Sequence, residues 1–128
     1  MKKIIKTQNA PAPIGPYNQA VLAGNTLYVS GQIAIIPETG ELLRGPIEEE
    51  TELVMNHLEA VLQAAGADFG HVVKSTIFVK DMGQFGQINA VYGKYFKAET
   101  APARETVEVA NLPKYVNVEI SVIAHIPG

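Results

Sequence analysis

The stretch PARETVEVANLPKYVNVEI, residues 102–120, contains the two most strand-like segments in the C-terminal third of the chain. Valine or isoleucine recurs at every second position, at 107 and 109 in the first segment and from 116 to 122 in the second. Because successive side chains of a strand point to opposite faces, the pattern predicts two strands with one apolar face. The opposite face carries charge, and we expect Arg104 and Glu119 to share it.

A hairpin across NLPK, residues 111–114, would bring Arg104 and Glu119 close together. One interpretation is a cross-strand ion pair on a solvated face, which stabilises a protein by at most about 1 kcal/mol. The other is a functional site, in which the planar guanidinium of Arg104 binds a carboxylate and Glu119 acts as a base or orients water. Spacing alone favours the ion pair.

The preceding segments predict two further strands and two helices. A strand is predicted for NTLYVSGQIAII, residues 25–36, with positions 27, 29, 31, 33 and 35 on one face. The PETG turn at 37–40 follows, with short strand pieces expected on either side of it. Residues 45–68 predict a helix that begins near Pro46 and ends near Gly66. HVVKSTIFVK at 71–80 predicts a strand, and MGQFGQINAVYGKYF at 82–96 predicts a second helix. The order indicates one α+β domain over residues 1–128, with two helices on one face of a sheet.

The other face of this sheet is not uniformly polar. By the same alternation it holds aromatic, small and apolar side chains, namely Tyr28, Ala34, Thr76, Phe78 and Ile123. Such a mixture is typical of a subunit interface that contains polar sites. We therefore expect a homo-oligomer.

Composition argues against several classes of function. The net charge is -3 and the lysines and arginines form no basic stripe, so nucleic acid is not an expected partner. The chain has no cysteine, and its histidines, His57, His71 and His125, lack the spacing of a metal motif. No export or membrane-spanning segment is apparent in the sequence, which predicts a cytoplasmic protein without membrane contact.

The motifs of the opening stretch, PAR, then LP, then VEI, resemble those of the RidA/YjgF family of reactive intermediate (imine) deaminases. Other segments agree in order along nearly the whole chain: APAPIGPYNQAV at 10–21, LYVSGQIA at 27–34, NHLEAVLQAAG at 56–66 and residues 72–96. The resemblance implies a chorismate-mutase-like α+β fold with a mixed sheet. It also implies a homotrimer around a central barrel, with ligand sites in the clefts between subunits.

The implied reaction is hydrolysis of 2-imino or enamine acids, such as 2-iminobutanoate and 2-iminopropanoate, to 2-oxo acids and ammonia. By resemblance, Arg104 binds the substrate carboxylate and Glu119 positions or activates water. Tyr17, Ser30 and Gly31 match residues that line the cleft, although from the residues alone Tyr17 could be a packing ring and Gly31 a strand glycine. The reaction needs no metal or organic cofactor, since an imine is already electrophilic.

Asn89 also matches a recurring family residue, and it could either serve the fold or reach the site. Two positions depart from the family pattern. Glu105 stands where a small residue is usual, and alternation directs it away from Arg104. Thr106 stands where many members have cysteine, and its hydroxyl could bind ligand or water beside Arg104.

Two rival functions stay open. A non-enzymatic protein could bind 2-oxo acids or other small carboxylates in the same cleft, or act on a partner protein. Chorismate mutase, suggested by the fold, would need several cationic groups around a dianion, whereas the proposed site has only one obvious arginine, Arg104. Family links to RNA cleavage fit poorly with the acidic composition.

Overall fold

The computed structural model describes residues 1–127, which form one six-stranded sheet and two α-helices. The strands are β1 Lys2–Ile5, β2 Ala20–Ala23, β3 Thr26–Gln32, β4 Val72–Val79, β5 Ala103–Glu108 and β6 Val118–His125. The helices are α1 Ile47–Ala64 and α2 Phe85–Tyr92. In space the strands are ordered β1-β2-β3-β6-β4-β5, and only β4 and β5 pair in parallel. The sheet is therefore mixed.

Both helices pack on one face of the sheet, which confirms the predicted α+β class. Helix α1 follows Pro46 and is succeeded by Gly66 at φ 77°, so its predicted ends are nearly correct. Its apolar side is fully buried at Val54, Leu58, Val61 and Leu62. These side chains join Ile77, Ile120 and Ile88 in one core between helices and sheet.

The predicted strand inventory was incomplete at its N-terminal end. Strands β1 and β2 form an antiparallel pair that extends the sheet beyond β3, and neither was expected. Both are only four residues long, too short for a clear alternation. After the PETG turn, the expected strand piece is reduced to one isolated bridge between Ile35 and Leu42.

Strands β5 and β6 do not pair as a hairpin, which was the condition for Arg104 and Glu119 to lie close together. Strand β4 lies between them, parallel to β5 and antiparallel to β6. Helix α2 connects β4 to β5, and such a crossover is the usual way to join parallel neighbours. The chain then reaches β6 through residues 109–117, which pass the end of β4, where Val109 N–H donates to Val79 O and Lys80 N–H donates to Asn117 O.

This topology also corrects the face assigned to Arg104. Arg104 is in register with Ser75, which is in register with Val122, and both of those side chains are buried under the helices. Paired residues of neighbouring strands share a face, so Arg104 lies on the helix side. Glu119 pairs with Phe78 on the other side. The expectation that Arg104 and Glu119 share a face is therefore wrong within one chain.

The outer face, turned away from the helices, has most of the expected composition. Register places Tyr28 beside Ile123, and Thr76 beside Ser121. Tyr28 is 51% exposed and Val107 is 39% exposed on this face. Ala34 was also expected here but is buried in the main core, because strand β3 ends at Gln32 and the alternation does not continue to residue 34.

Candidate functional site

Arg104 is held on the helix side of the sheet edge by residues of α2. Its Nη1 donates to Asn89 Oδ1 at 2.6 Å. Its guanidinium carbon lies 5.0 Å from the ring centre of Tyr92 and 5.5 Å from that of Phe85. Both distances suit cation–π attraction. The guanidinium is thus oriented by one amide and two rings.

The charge of Arg104 is not neutralised by a carboxylate. Within residues 1–127 the lysine–carboxylate salt bridges are Lys74 with Glu105 and Lys94 with Glu52, and Arg104 takes part in no salt bridge. A small open cleft beside it is lined by Tyr92, Ala101, Pro102 and Arg104. Because a guanidinium has five N–H donors, most remain available to an anion in this cleft.

Thr106 lies two residues further along β5, on the same helix side as Arg104. Its register partner is Ile77, which is fully buried. The Thr106 Oγ1 atom is buried and has no hydrogen-bond partner. A buried hydroxyl without a partner is costly, so this atom is a candidate for contact with a bound molecule. Asn89, Arg104 and Thr106 form the helix-side group.

Glu119 lies on the outer face, in a small pocket of mainly apolar residues. The pocket of ≈ 60 Å³ is lined by Tyr17, Gly31, Gln32, Ile14, Ile33, Ile35, Pro113 and neighbouring residues. Burial alone raises the pKa of the Glu119 carboxyl above its usual value. No cation lies within ion-pair distance of Glu119 in the described chain. Such a carboxylate is suited to accept a proton from water.

A β-bulge at Ser30 and Gly31 brings the backbone of β3 against Glu119. Val29 pairs with Val122 and Gln32 pairs with Ile120, so β3 contains one extra residue between the two pairs. A Cβ atom at Gly31 would lie 2.6 Å from Glu119 Oε2. The predicted alternation, which put Gly31 beside Leu27, is therefore broken at the bulge, and only glycine leaves room for the carboxylate.

Ser30 and Tyr17 were both expected to line the site, and the structure distinguishes them. The Ser30 hydroxyl donates to Asn18 O at 2.6 Å, and its N–H donates to Gln19 O, so Ser30 fixes the loop before β2. Tyr17 lines the Glu119 pocket, and its hydroxyl accepts from Ile14 N–H at 3.4 Å. Tyr17, Gly31 and Glu119 form the outer-face group, with Ser30 behind it.

Gln19 is an organising residue that the sequence analysis did not identify. Its side chain is buried and donates to the carbonyls of Thr7, Ala10 and Pro11, while Oε1 accepts from Thr7 N–H at 2.8 Å. These bonds hold the loop that carries Ile14 and Tyr17 over the pocket. A glutamine directly before the apolar residues Ala20, Val21 and Leu22 was the available signal.

Pro113 is a second residue that the sequence did not indicate, and it lines the Glu119 pocket from the connection between β5 and β6.

Glu105 points away from Arg104, as expected. Its carboxylate lies 3.2 Å from Lys74 Nζ and accepts from Thr76 Oγ1 at 3.1 Å, and these two partners hold the pKa of Glu105 low. It belongs to the outer face.

The histidines occupy separate structural positions. His57 is buried, with Nε2 2.7 Å from Ile35 O, and burial lowers its pKa. His71 Nδ1 accepts from Asp68 N–H in a capping box. Residues 1–127 contain no group of three or more histidine, aspartate or glutamate side chains placed to hold a metal ion. In the same residues, neither helix is long and apolar enough to cross a bilayer.

Comparison with known proteins assigns the chain and its fold to a family. Residues 7–126 match the family described as endoribonuclease L-PSP, to which proteins named RidA and YjgF belong. The chain belongs to the RidA/YjgF family. A solved structure of a Rid-family protein from Yersinia pestis is 47% identical, with a TM-score of 0.95 and coverage of 98% of this chain and 100% of that one. The predicted family and fold are thereby confirmed.

Two other RidA/YjgF relatives carry information about ligands in their names. A mouse protein named 2-iminobutanoate/2-iminopropanoate deaminase is 44% identical over 97% of this chain and 91% of its own length. The structure of E. coli TdcF with bound serine is 41% identical, with a TM-score of 0.91 and coverage of 98% of this chain and 99% of that one. Both relatives match the chain over nearly its full length.

Proposed function

We propose that this protein hydrolyses 2-imino acids to 2-oxo acids and ammonia, with 2-iminobutanoate and 2-iminopropanoate as substrates. The observation that carries this proposal is the guanidinium of Arg104, which is oriented by Asn89 and two aromatic rings but has no carboxylate partner in the described residues. A planar cation held in this way suits the carboxylate of an imino acid. The name of the mouse relative supports the same substrate class.

The catalytic site combines two copies of the chain in this proposal. Along β4, Arg104 is level with Ser75 and Glu119 is level with Phe78. At ordinary strand spacings their backbones are about 10 Å apart along the strands and about 10 Å apart across the sheet, on opposite faces. The imine carbon is bonded directly to the carboxylate carbon, so one substrate cannot use both residues of one chain. In each site, Arg104 of one subunit and Glu119 of the neighbouring subunit therefore act on the same substrate.

The outer face of the sheet offers the surface on which such copies would meet. It exposes Tyr28 and Val107 on the same face that carries the half-buried Glu119. Apolar side chains that surround a polar site are typical of a subunit interface. A homotrimer, in which each interface contains one site, agrees with this surface and with the family resemblance. Residues 1–128 act as one domain in this assembly.

The reaction follows from the two groups without a cofactor. Arg104 holds the carboxylate and fixes the C=N carbon, while Glu119 accepts a proton as water attacks that carbon. Glu119 passes this proton to the imine nitrogen, which gives a carbinolamine. The carbinolamine hydroxyl then gives up the second proton of the water, by way of Glu119, to nitrogen as the C–N bond breaks, so a C=O bond forms and ammonia leaves. The raised pKa of Glu119 fits this exchange, because a desolvated carboxylate both takes and returns a proton more readily near neutral pH.

The remaining residues bind and position the substrate. Asn89 orients Arg104, and the unpaired Thr106 Oγ1 donates to or accepts from substrate or water beside it. Tyr17 covers the pocket, and Gly31 allows the substrate to approach Glu119. Ser30 positions the bulge through its bond to Asn18 O. The serine bound to TdcF supports a small amino-acid-like ligand for such a cleft.

The test is a coupled assay in which a threonine or serine dehydratase generates the imine and release of 2-oxo acid is followed. Arg104→Lys keeps the charge but loses the planar fork, so we expect a large rise in KM and slow turnover. Glu119→Gln should lose turnover and keep affinity for 2-oxobutanoate. If the wild-type protein binds 2-oxobutanoate but never accelerates imine hydrolysis, the non-enzymatic binding function replaces the deaminase.

A further inference from the structure

A second cleft adjoins the Glu119 pocket on the outer side of the molecule. Its volume is ≈ 220 Å³, and its lining includes Pro13, Pro37 and Lys114. Pro11, Ala12, Ile14 and Ile35 line both this cleft and the Glu119 pocket. Ile14, which stands between them, is 63% exposed, so its side chain is not fixed by the core. A ligand that fills the first pocket therefore has the second cleft beside it.

The two neighbouring clefts contain one charge each. Glu119 is the charged side chain among the residues that line the first pocket, and Lys114 is the charged side chain among those that line the second. Lys114 is exposed and forms no salt bridge with any part of the chain that the structure describes. The second cleft is otherwise built from prolines, isoleucines and small residues. It is thus apolar along its length, with one available cation.

The backbone holds Lys114 in an unfavourable conformation. Lys114 has φ 55° and Tyr115 has φ 57°, in the left-handed region that residues other than glycine seldom adopt. The turn is maintained by Tyr115 N–H donating to Leu112 O at 2.9 Å and by Val116 N–H donating to Pro113 O at 3.3 Å. Strained residues persist only where the surrounding structure fixes them, and they occur often at binding sites. The fold therefore maintains Lys114 at this cleft.

We propose that Lys114 binds the side-chain carboxylate of 2-imino dicarboxylic acids and so extends the substrate range to imines with acidic side chains. This inference rests on the proposed function, in which the imine carbon lies beside Glu119. From there a substrate side chain passes Ile14 and Ile35 into the second cleft, where a terminal carboxylate meets Lys114 Nζ. Imines with short apolar side chains use the first pocket and do not reach Lys114.

The experiment compares 2-iminobutanoate with 2-iminoglutarate, which an L-glutamate oxidase generates from L-glutamate. Lys114→Asn removes the charge and keeps a residue that tolerates the left-handed conformation. A charge-assisted hydrogen bond to carboxylate predicts that this variant loses about tenfold in kcat/KM for 2-iminoglutarate, chiefly through KM. For 2-iminobutanoate its kcat/KM should stay within about twofold of wild type, since no charged contact is lost.

Two matched variants separate the charge from other effects. Lys114→Arg keeps a cation and should retain the activity toward 2-iminoglutarate. Lys97→Gln removes an exposed lysine outside the second cleft and should leave kcat/KM unchanged for both substrates. Titration calorimetry with 2-oxoglutarate and 2-oxobutanoate gives a second measurement that needs no turnover. Lys114→Asn should weaken the binding of 2-oxoglutarate and leave that of 2-oxobutanoate unchanged.

The proposal is overturned if Lys114→Asn affects both substrates equally, or if neither kinetics nor calorimetry distinguishes the variant from wild type. It is also overturned if wild type hydrolyses 2-iminobutanoate but not 2-iminoglutarate. Failure of the proposed function is a different result, in which wild type accelerates hydrolysis of neither imine. In that case the calorimetric comparison of the two oxo acids still decides whether Lys114 binds a second carboxylate.

Discussion

Arg104 and Glu119 flank the same strand, β4, but their side chains leave the sheet on opposite faces. Arg104 contacts Asn89 of helix α2, whereas Glu119 lies against Gly31 in the outer-face pocket. In the proposed function, each chain thus carries two halves of a site that cannot meet within that chain. A protein that hydrolyses an imine with these two residues must bring different chains together.

Mixed oligomers test this arrangement directly. Arg104→Ala and Glu119→Gln should each be inactive alone, because every site then lacks one of its two residues. After the two variants are unfolded together and refolded at equal amounts, a site that takes Arg104 from one chain and Glu119 from its neighbour should form in about one quarter of cases. The recovered activity, measured by the coupled imine assay, should approach that fraction of wild type.

The control for this experiment is a mixture of separately refolded variants, which should stay inactive while subunits do not exchange. Light scattering should give the mass of a trimer for both variants and for the mixture. Absence of recovered activity in a mixture that has formed mixed trimers would contradict the intersubunit site. It would leave Arg104 and Glu119 without a common substrate.

The pH dependence of turnover should report the burial of Glu119. Its pKa is raised from 4.5 by desolvation, and the proposed mechanism needs the ionised carboxylate. Protonation therefore removes activity as the pH falls through the raised value, so the acidic limb of kcat/KM should have its midpoint above 4.5. Stopped assays over a range of acidic buffers measure this limb. Glu119→Asp should still lose kcat/KM as the pH falls, because it keeps a carboxylate. Glu119→Gln should be inactive at every pH.

Gly31→Ala should impair turnover more than folding. The added Cβ would lie 2.6 Å from Glu119 Oε2 and 2.8 Å from its Cδ, so the carboxylate must move. A displacement of about 1 Å in a catalytic group can cost about a hundredfold in rate, while the flexible side chain lets the fold adapt. Gly45→Ala, where an added Cβ meets nothing within 4 Å, is the matched control. Equal activity of the two variants would show that the position of Glu119 is not important.

Local patterns in the sequence predicted the elements but not their neighbours. The apolar period of α1, together with Pro46 and Gly66, defined that helix, because these signals act within a few residues. Strand alternation likewise found β4, β5 and β6. The pairing of β5 with β4 depends on the crossover through α2, and no local signal in residues 102–120 distinguishes it from a hairpin.

The site shows the same division between local and long-range information. Motif resemblance selected Asn89, Arg104 and Thr106, which do cluster, and Tyr17, Gly31 and Glu119, which line one pocket. Alternation then placed Arg104 on the wrong face, because the faces of two strands can be related only when their register is known. The bulge at Gly31 has no strong sequence signal apart from the glycine itself.

Glu50 should be important for stability, because it fixes the start of β6. Its buried carboxylate accepts from Asn117 N–H at 2.9 Å, from Asn117 Nδ2 at 2.8 Å and from Val118 N–H at 3.3 Å. Glu50→Ala leaves these donors without a partner and should lower the free energy of unfolding by about 3 kcal/mol. Glu50→Gln keeps an acceptor oxygen and should cost less.

Urea unfolding at one fixed protein concentration measures this difference, since oligomerisation makes stability depend on concentration. Glu49→Ala is the control, because Glu49 is an exposed residue of the same first helical turn. Its loss should change the free energy of unfolding by no more than about 0.5 kcal/mol. If Glu49→Ala and Glu50→Ala were equally stable, the three bonds of Glu50 would contribute nothing beyond the helix dipole.

Replacing Tyr115 should separate backbone strain from side-chain packing. Tyr115 is 81% exposed and has φ 57°, so its ring contributes little burial while its backbone is unfavourable. Tyr115→Gly removes the penalty of about 1–2 kcal/mol for a left-handed backbone conformation. Glycine also raises the conformational entropy of the unfolded chain, which lowers stability, so we expect a net stabilisation of about 0.5–1 kcal/mol. Tyr115→Ala keeps the penalty and should be neutral or slightly destabilising. Thermal unfolding of both variants at equal concentration compares them, and a more stable alanine variant would place the effect in the exposed ring instead of the backbone.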